Sequence, residues 1–217
     1  MPEVTDTGLF AEYFGAMLAM AFGIEAPTPA IVNLSTELIE VAAHNLAGWG
    51  LSPRPGEAVG LEFLRGLAPL SRLIPVKGPA EIVDAAQIYA FDMLIQNPDR
   101  RDDKPNCANL RGRLVAYDHE MAFSFLYPIV GSGRPWEVPS FSQHHVFHRA
   151  LRSPESKGEI DWTSVRQGLA AVEEQVEGLA QLVPDRWRAH ADRVVTHVHE
   201  VASHAGVFEE QLRRSLS

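Results

Sequence analysis

The sequence predicts an α+β fold, mostly α, with a short β-hairpin set among the helices. Three observations predict it. Leu9, Phe10, Tyr13, Phe14, Met17, Leu18 and Ala21 form an apolar stripe at helical spacing. The segment Glu81 to Gln96 is apolar nearly all round, as a helix in the middle of a domain is. Two short runs, Cys107–Leu110 and Arg113–Tyr117, flank the turn pair Arg111-Gly112.

Taken in order, Asp6 is expected to cap a helix from about Leu9 to Phe22, which Gly23 ends. Pro27 and Pro29 force an extended path into a short strand at Ala30–Leu34. Ser35 or Thr36 then caps a second helix that runs to about Leu46. Residues 48–58 are rich in Gly and Pro and read as a loop, Val59–Leu64 as a short strand, and Leu67–Gly78 as irregular. Gly78-Pro79-Ala80-Glu81 is a helix start, with proline in the first turn and an acid near the positive helix end. Asn97-Pro98 stops that helix, and 98–106 is a polar loop leading to the hairpin. After a loop at Gly131–Pro139, helices are expected near His144–Leu151, Thr163–Leu182 and Pro184–Arg214. The 217 residues are expected to form a single domain: first helices and a hinge-like segment over 1–78, a chemistry-bearing segment over 79–130, and a helical tail over 140–217.

Composition narrows the function. A net charge of -9 disfavours broad nucleic-acid binding, because an acidic chain repels phosphate backbones at long range. Cys107 is the single cysteine, so no internal disulfide can form and a reducing, cytoplasmic setting is expected. No run approaches the length of a membrane span, and Phe14–Ile24 lacks the basic flank of a signal peptide. Lysine occurs only at 77, 104 and 157. Arg100, Arg101, Lys104, Arg111 and Arg113 are a local basic cluster, read either as a solvated turn or as part of a site.

The segment from Phe91 to Phe123 carries the chemistry. A buried helix delivers a polar loop with Asp99, and a hairpin follows that ends in a second acid, Asp118. With a two- or four-residue turn centred on Arg111-Gly112, opposite residues have numbers summing to 223, which sets Asn106 beside Tyr117. A three-residue turn would set Asn106 directly opposite Asp118. Either register makes Asn106 and Asp118 neighbours, and an amide with a carboxylate suits Mg²⁺. Phosphoryl transfer uses such parts: one acid to orient the nucleophile, an Asn and a second Asp to hold metal against phosphates.

Asn97-Pro-Asp-Arg, Pro105-Asn106 and Asp118-His-Glu-Met-Ala-Phe123 together resemble the HipA-like kinases, whose fold is related to protein and phosphoinositide kinases. Phe91-Asp92, Glu12-Tyr-Phe-Gly-Ala-Met-Leu-Ala and Gly23-Ile-Glu-Ala-Pro27-Thr-Pro29 add to the resemblance, which runs from about residue 8 to 126. It implies the helical C-terminal lobe of a kinase-like fold that uses ATP and Mg²⁺. It also implies roles: Asp99 as the catalytic or substrate-orienting acid, Asn106 and Asp118 as metal ligands, and Glu12 as the helix acid that pairs with a phosphate-binding lysine. Three departures stand out. The position five after Asp99, where the family places Asn, is Lys104, and Asn106 follows seven after; Lys104 is then a candidate phosphate contact. The family's glycine-rich loop and strand lysine are expected before the first helix, yet only eight residues precede it and none is lysine. The metal-ligand motif reads Asp-His-Glu rather than Asp-Phe-Gly.

Two functions are therefore expected to compete: a phosphotransferase lobe acting on a protein Ser/Thr or a small hydroxyl compound and completed by a partner chain, or a non-catalytic kinase-like binding or regulatory module. Arg100 reads as structural, bracing a nearby acid. His144, His145 and His148 have helical metal-ligand spacing but no third ligand type nearby, so they read as helix surface or core. His190, His197, His199 and His204 read as solvated faces, and Cys107 as a small buried filler. Ser124 lies in no Gly-x-Ser-x-Gly elbow, which argues against a serine hydrolase.

Overall fold

The computed structural model describes residues 5–48, 54–70, 76, 78–127 and 133–217, with backbone only over 43–48. Parts of the expected loops at 48–58 and 131–139 and of the irregular stretch 67–78 lie outside the described residues. The order is α1 (Asp6–Phe22), β1 (Pro29–Leu34), α2 (Thr36–Gly48), β2 (Gly56–Leu61), β3 (Ala68–Pro69), α3 (Pro79–Leu94), β4 (Cys107–Leu110), β5 (Arg113–Ala116), α4 (His148–Leu151), α5 (Pro154–Lys157), α6 (Trp162–Ala180), α7 (Arg188–Ser203) and α8 (Ala205–Ser215). The fold is α+β and mostly helical, with two small antiparallel sheets, β1-β2 and β3-β4-β5.

Local chemistry sets the boundaries that matter. The cap of α1 is Thr5, whose Oγ1 accepts the Gly8 N–H at 3.0 Å. Asp6, expected as the cap, is the first helical residue; its carboxylate accepts the indole N–H of buried Trp187 at 2.9 Å, and this long-range demand moves the boundary by one. Gly23 adopts φ 90° and lets Ile24 N–H reach back to Ala19 O, closing the helix in the left-handed turn that glycine favours. Ser35 caps α2 through the Leu38 N–H. Strand β2 begins at Gly56, earlier than expected, because all six of its residues pair with β1, from Leu34↔Gly56 to Pro29↔Leu61.

Helix α3 is the central strut. Ile82, Ile88, Tyr89, Phe91, Met93 and Leu94 are buried, consistent with its all-round apolar sequence. Two of its three acids grip the hairpin. Glu81 accepts from Asn109 Nδ2 at 2.7 Å, and buried Asp84 takes three bonds from the Arg113 guanidinium and one from the Leu114 N–H. The hairpin turn has φ 55° at Arg111 and 86° at Gly112, the signs a two-residue I′ turn requires. The register Cys107↔Ala116 through Leu110↔Arg113 follows the 223 sum.

Helices α6 and α7 cover the other side of α1 and α3. The single helix expected over Pro184–Arg214 is instead a 3-10 turn at Asp185–Trp187 followed by α7 and α8. The break falls at His204, whose Nδ1 bonds the Glu200 carbonyl and whose ring stacks on Trp136 at 3.5 Å. Leaving the helical path there lets α8 bury Phe208 and Leu212. Where α1 meets α6, a Cβ on Gly168 would lie 2.5 Å from the Phe22 ring and 2.7 Å from the Phe22 carbonyl oxygen. Gly168→Ala would gain about 1 kcal/mol of helix propensity. The clash includes backbone and cannot relax by a side-chain turn, so a net loss of about 1–3 kcal/mol is expected in urea unfolding. A neutral result would mean that α1 and α6 pack less closely than this.

Candidate functional site

The site is built on a buried ionic knot at the end of α3. Asp92, Arg100 and His145 are almost completely buried. Arg100 Nε donates to Asp92 Oδ2 at 2.5 Å, His145 Nε2 meets the same oxygen at 2.9 Å, and Asn97 Nδ2 donates to Asp92 Oδ1 at 3.1 Å. Burial pushes the Asp92 carboxyl up, but the Arg100 charge and the His145 bond outweigh it and hold it at about 2. Burial drives the His145 ring down, so it is neutral: Nε2 carries the proton to Asp92, and Nδ1 accepts the Phe147 N–H at 3.2 Å. The other face of Arg100 donates from Nη1 to the carbonyls of Asn106 and Tyr117. One guanidinium thus ties the polar loop to both strands of the hairpin, immediately beside Asn106 and Asp118.

Four side chains from the polar loop and the hairpin ends then meet near the surface. Asp99 is aimed by its own backbone, whose N–H donates to Asn97 Oδ1 at 3.1 Å. Lys104 Nζ lies 2.6 Å from Asp99 Oδ2, 3.3 Å from Asp118 Oδ2 and 3.6 Å from Glu120 Oε1. Asn106 Nδ2 donates to Asp99 Oδ2 at 3.4 Å and to the Asp118 carbonyl at 3.5 Å. Asn106 and Asp118 hold φ of 47° and 59°, a left-handed conformation that Asn and Asp tolerate better than most residues. Tyr117 N–H closes on Asn106 O at 3.1 Å and fixes this open end of the hairpin.

Glu12 on α1 approaches from behind. Its Oε2 accepts the His119 N–H, while Oε1 is buried with no hydrogen-bond partner among the described residues. Burial raises its carboxyl to about 7, the His119 bond opposes this, and the Asp118 and Glu120 charges add to it. The His119 ring is wholly buried, pushed down to about 3 by burial and by Arg100, and packs on Gly15, where a Cβ would lie 2.8 Å away. A cleft of about 340 Å³ opens here, bounded by Leu9, Glu12, Val59, Leu61, Asp118 and Glu120.

The family model described as HipA-like kinase matches residues 1–215. The chain belongs to the HipA-like kinase family. A comparison with curated proteins gives no match. Membership suggests phosphotransferase activity and implies nucleotide use. No helix among the described residues is long and apolar enough to cross a membrane. Among the described residues no three His, Cys, Asp or Glu side chains group to hold a metal by themselves. An amide and a carboxylate at Asn106 and Asp118 instead suit a Mg²⁺ whose shell phosphate oxygens and water complete.

In this HipA-like chain the structure brings Asp99, Lys104, Asn106 and Asp118 together, with Glu12 adjoining through His119. Arg100 does brace an acid, and Cys107 is fully buried. Sequence reasoning missed Glu120 as a third acid on Lys104, Gly15 as the seat of His119, and the part played by His145. The helix expected at His144–Leu151 is a 3-10 turn over Ser140–His144 and a short α4; His145 is extended between them, with ψ 137°, to reach Asp92. His197 is no solvated residue. It is buried, bonds the Leu94 carbonyl at 2.7 Å, stacks on Phe125, and is pushed down to about 4 by burial. Of the basic cluster, Arg100, Arg101, Lys104 and Arg113 each pair with a nearby acid, and Arg111 lies in the hairpin turn.

Proposed function

We propose that this chain is the Mg-ATP-dependent phosphotransferase lobe of a HipA-like kinase acting on a hydroxyl of a protein Ser/Thr or a small compound. Convergence of Asp99, Lys104, Asn106 and Asp118 within hydrogen-bonding or ion-pairing reach is the observation that carries the reading. Asp99 orients the acceptor hydroxyl and takes its proton. Asn106 and Asp118 hold the metal through side-chain oxygens, and Lys104 meets the phosphates. Bound Mg-ATP supplies the transferable phosphoryl group and the metal charge that offsets it. Glu12 Oε1, buried and without a hydrogen-bond partner among the described residues, is the docking point for a lysine from a partner chain that completes the nucleotide clamp. The acceptor approaches along the polar groove of about 540 Å³ between the loop that carries Asp99, at Pro98, Arg101 and Asp103, and the Ser140–His144 turn.

Calorimetric titration tests this. Mg-ATP is expected to bind the wild type, and Asp118→Ala is expected to weaken it at least about tenfold, the loss of one charged metal contact. No binding to the wild type, or binding that ignores the substitution, would remove the reading.

A further inference from the structure

The ammonium of Lys104 sits where the acids of the site converge. It bridges Asp99 Oδ2 and Asp118 Oδ2 at 2.6 and 3.3 Å, with Glu120 Oε1 at 3.6 Å. The backbone beneath it is fixed, since Arg101 and Lys104 exchange both N–H···O bonds, at 3.0 and 3.1 Å. The side chain is 39% exposed, so a rigid turn carries a long arm that has room to swing. Asp118 Oδ2 has one ammonium against it, and a Mg²⁺ ligated at about 2.1 Å through the same oxygen would leave that ammonium facing a divalent ion across a shared ligand. The two cations repel across that carboxylate, and a phosphate drawn to the ammonium would relieve the repulsion.

We propose that Lys104 is a built-in counter-ion of the site, occupying the Asp118 oxygen that a divalent cation would need and leaving it only when phosphate arrives to receive the ammonium. The proposal rests on the reading of Asp118 as a metal ligand given above. It assigns the site an order of assembly: the ion alone is excluded, and the ion together with a polyphosphate is admitted. Metal and nucleotide then bind with strong positive coupling. A lysine does this where an arginine would do it poorly, because its compact ammonium fits between two single oxygens and its stem turns freely.

The test measures binding, with Mn²⁺ as the probe and electron paramagnetic resonance as the readout of free ion. In nucleotide-free protein, Lys104→Gln is expected to bind Mn²⁺ at least about tenfold more tightly than wild type, while Lys104→Arg gains less. ATP is expected to strengthen Mn²⁺ binding to the wild type by a larger factor than to Lys104→Gln. Unchanged or weaker Mn²⁺ binding by Lys104→Gln, alongside intact Mn-ATP binding by the wild type, overturns the counter-ion role and leaves the phosphotransferase reading standing. If no variant binds Mn²⁺ with or without ATP, both fall.

Discussion

Replacing Asp92 with alanine is expected to destabilise the protein by about 3–5 kcal/mol, because it strands the Arg100 guanidinium in the core without its counter-charge. Both side chains are wholly buried, so water cannot replace the lost partner. The damage does not stop at one ion pair. The Asn97 amide and the neutral His145 Nε2–H lose the same acceptor, and each unpaired buried donor adds about 1–3 kcal/mol unless the structure relaxes. Converting both charged residues to apolar ones, Asp92→Leu with Arg100→Met, would remove the stranded charge and recover part of the loss. Full recovery is not expected, since the carbonyls of Asn106 and Tyr117 would then lack the Arg100 donor. A double-mutant cycle in urea separates these contributions. An Asp92→Ala cost below about 1 kcal/mol would show that the knot does not hold together in solution. The consequence for function comes through the same guanidinium: its two hairpin carbonyls directly precede Cys107 and Asp118, so Asp92→Ala should loosen Asp118 even though the two acids do not touch.

The parts of this architecture that were legible in the sequence are those decided within a few residues. The stop read from Asn97-Pro98 falls a few residues earlier, at Leu94, where Gln96 turns left-handed at φ 49°, and Arg111-Gly112 sets the hairpin register because the turn length decides which residues face each other. From that register alone Asn106 falls beside Tyr117, which is how two site residues 12 apart become neighbours. The illegible parts depend on distant partners. Nothing near His145 announces that it reaches back 53 positions to Asp92, and its local spacing suggests a helix that the contact prevents. Within Arg100-Arg101-Asp102-Asp103-Lys104 the residue types do not say which cation is buried and which is exposed. The geometry divides them sharply: Arg100 is fully buried, while Lys104 lies 39% exposed among three acids. The break at His204 is of the same kind, made by a stacking contact with Trp136, 68 positions away.

Glu12→Gln is expected to stabilise the protein above neutral pH and to leave it unchanged in acid. The Glu12 carboxyl is raised from 4.5 to about 7, chiefly by burial. Between those values the native state keeps a proton that the unfolded chain has already released, so unfolding free energy falls as pH rises through the window. Across the window from 4.5 to about 7 this amounts to roughly 3 kcal/mol, fully lost once pH exceeds about 7. Glutamine keeps an oxygen for the His119 N–H and carries no charge, so its advantage should grow from near zero at about pH 4.5 to roughly 3 kcal/mol at pH 8. Buried His119 and His197 slope the other way, since their depressed values make acid destabilising below about 6.5, but they are common to both proteins and cancel in the difference. Urea unfolding of the two proteins at pH 5, 6, 7 and 8 reads this directly, and parallel pH profiles would show that Glu12 is not strained by its burial. The same experiment bears on the clamp. A cation seated on the orphaned Glu12 oxygen would favour the carboxylate, pull its pKa back down, and flatten the wild-type profile toward that of Glu12→Gln. A site that holds an ionisable acid at this cost, beside two further carboxylates, gains most of its return when a positive group arrives, and the wild type rather than the glutamine variant should then bind that group more tightly as pH rises through 7.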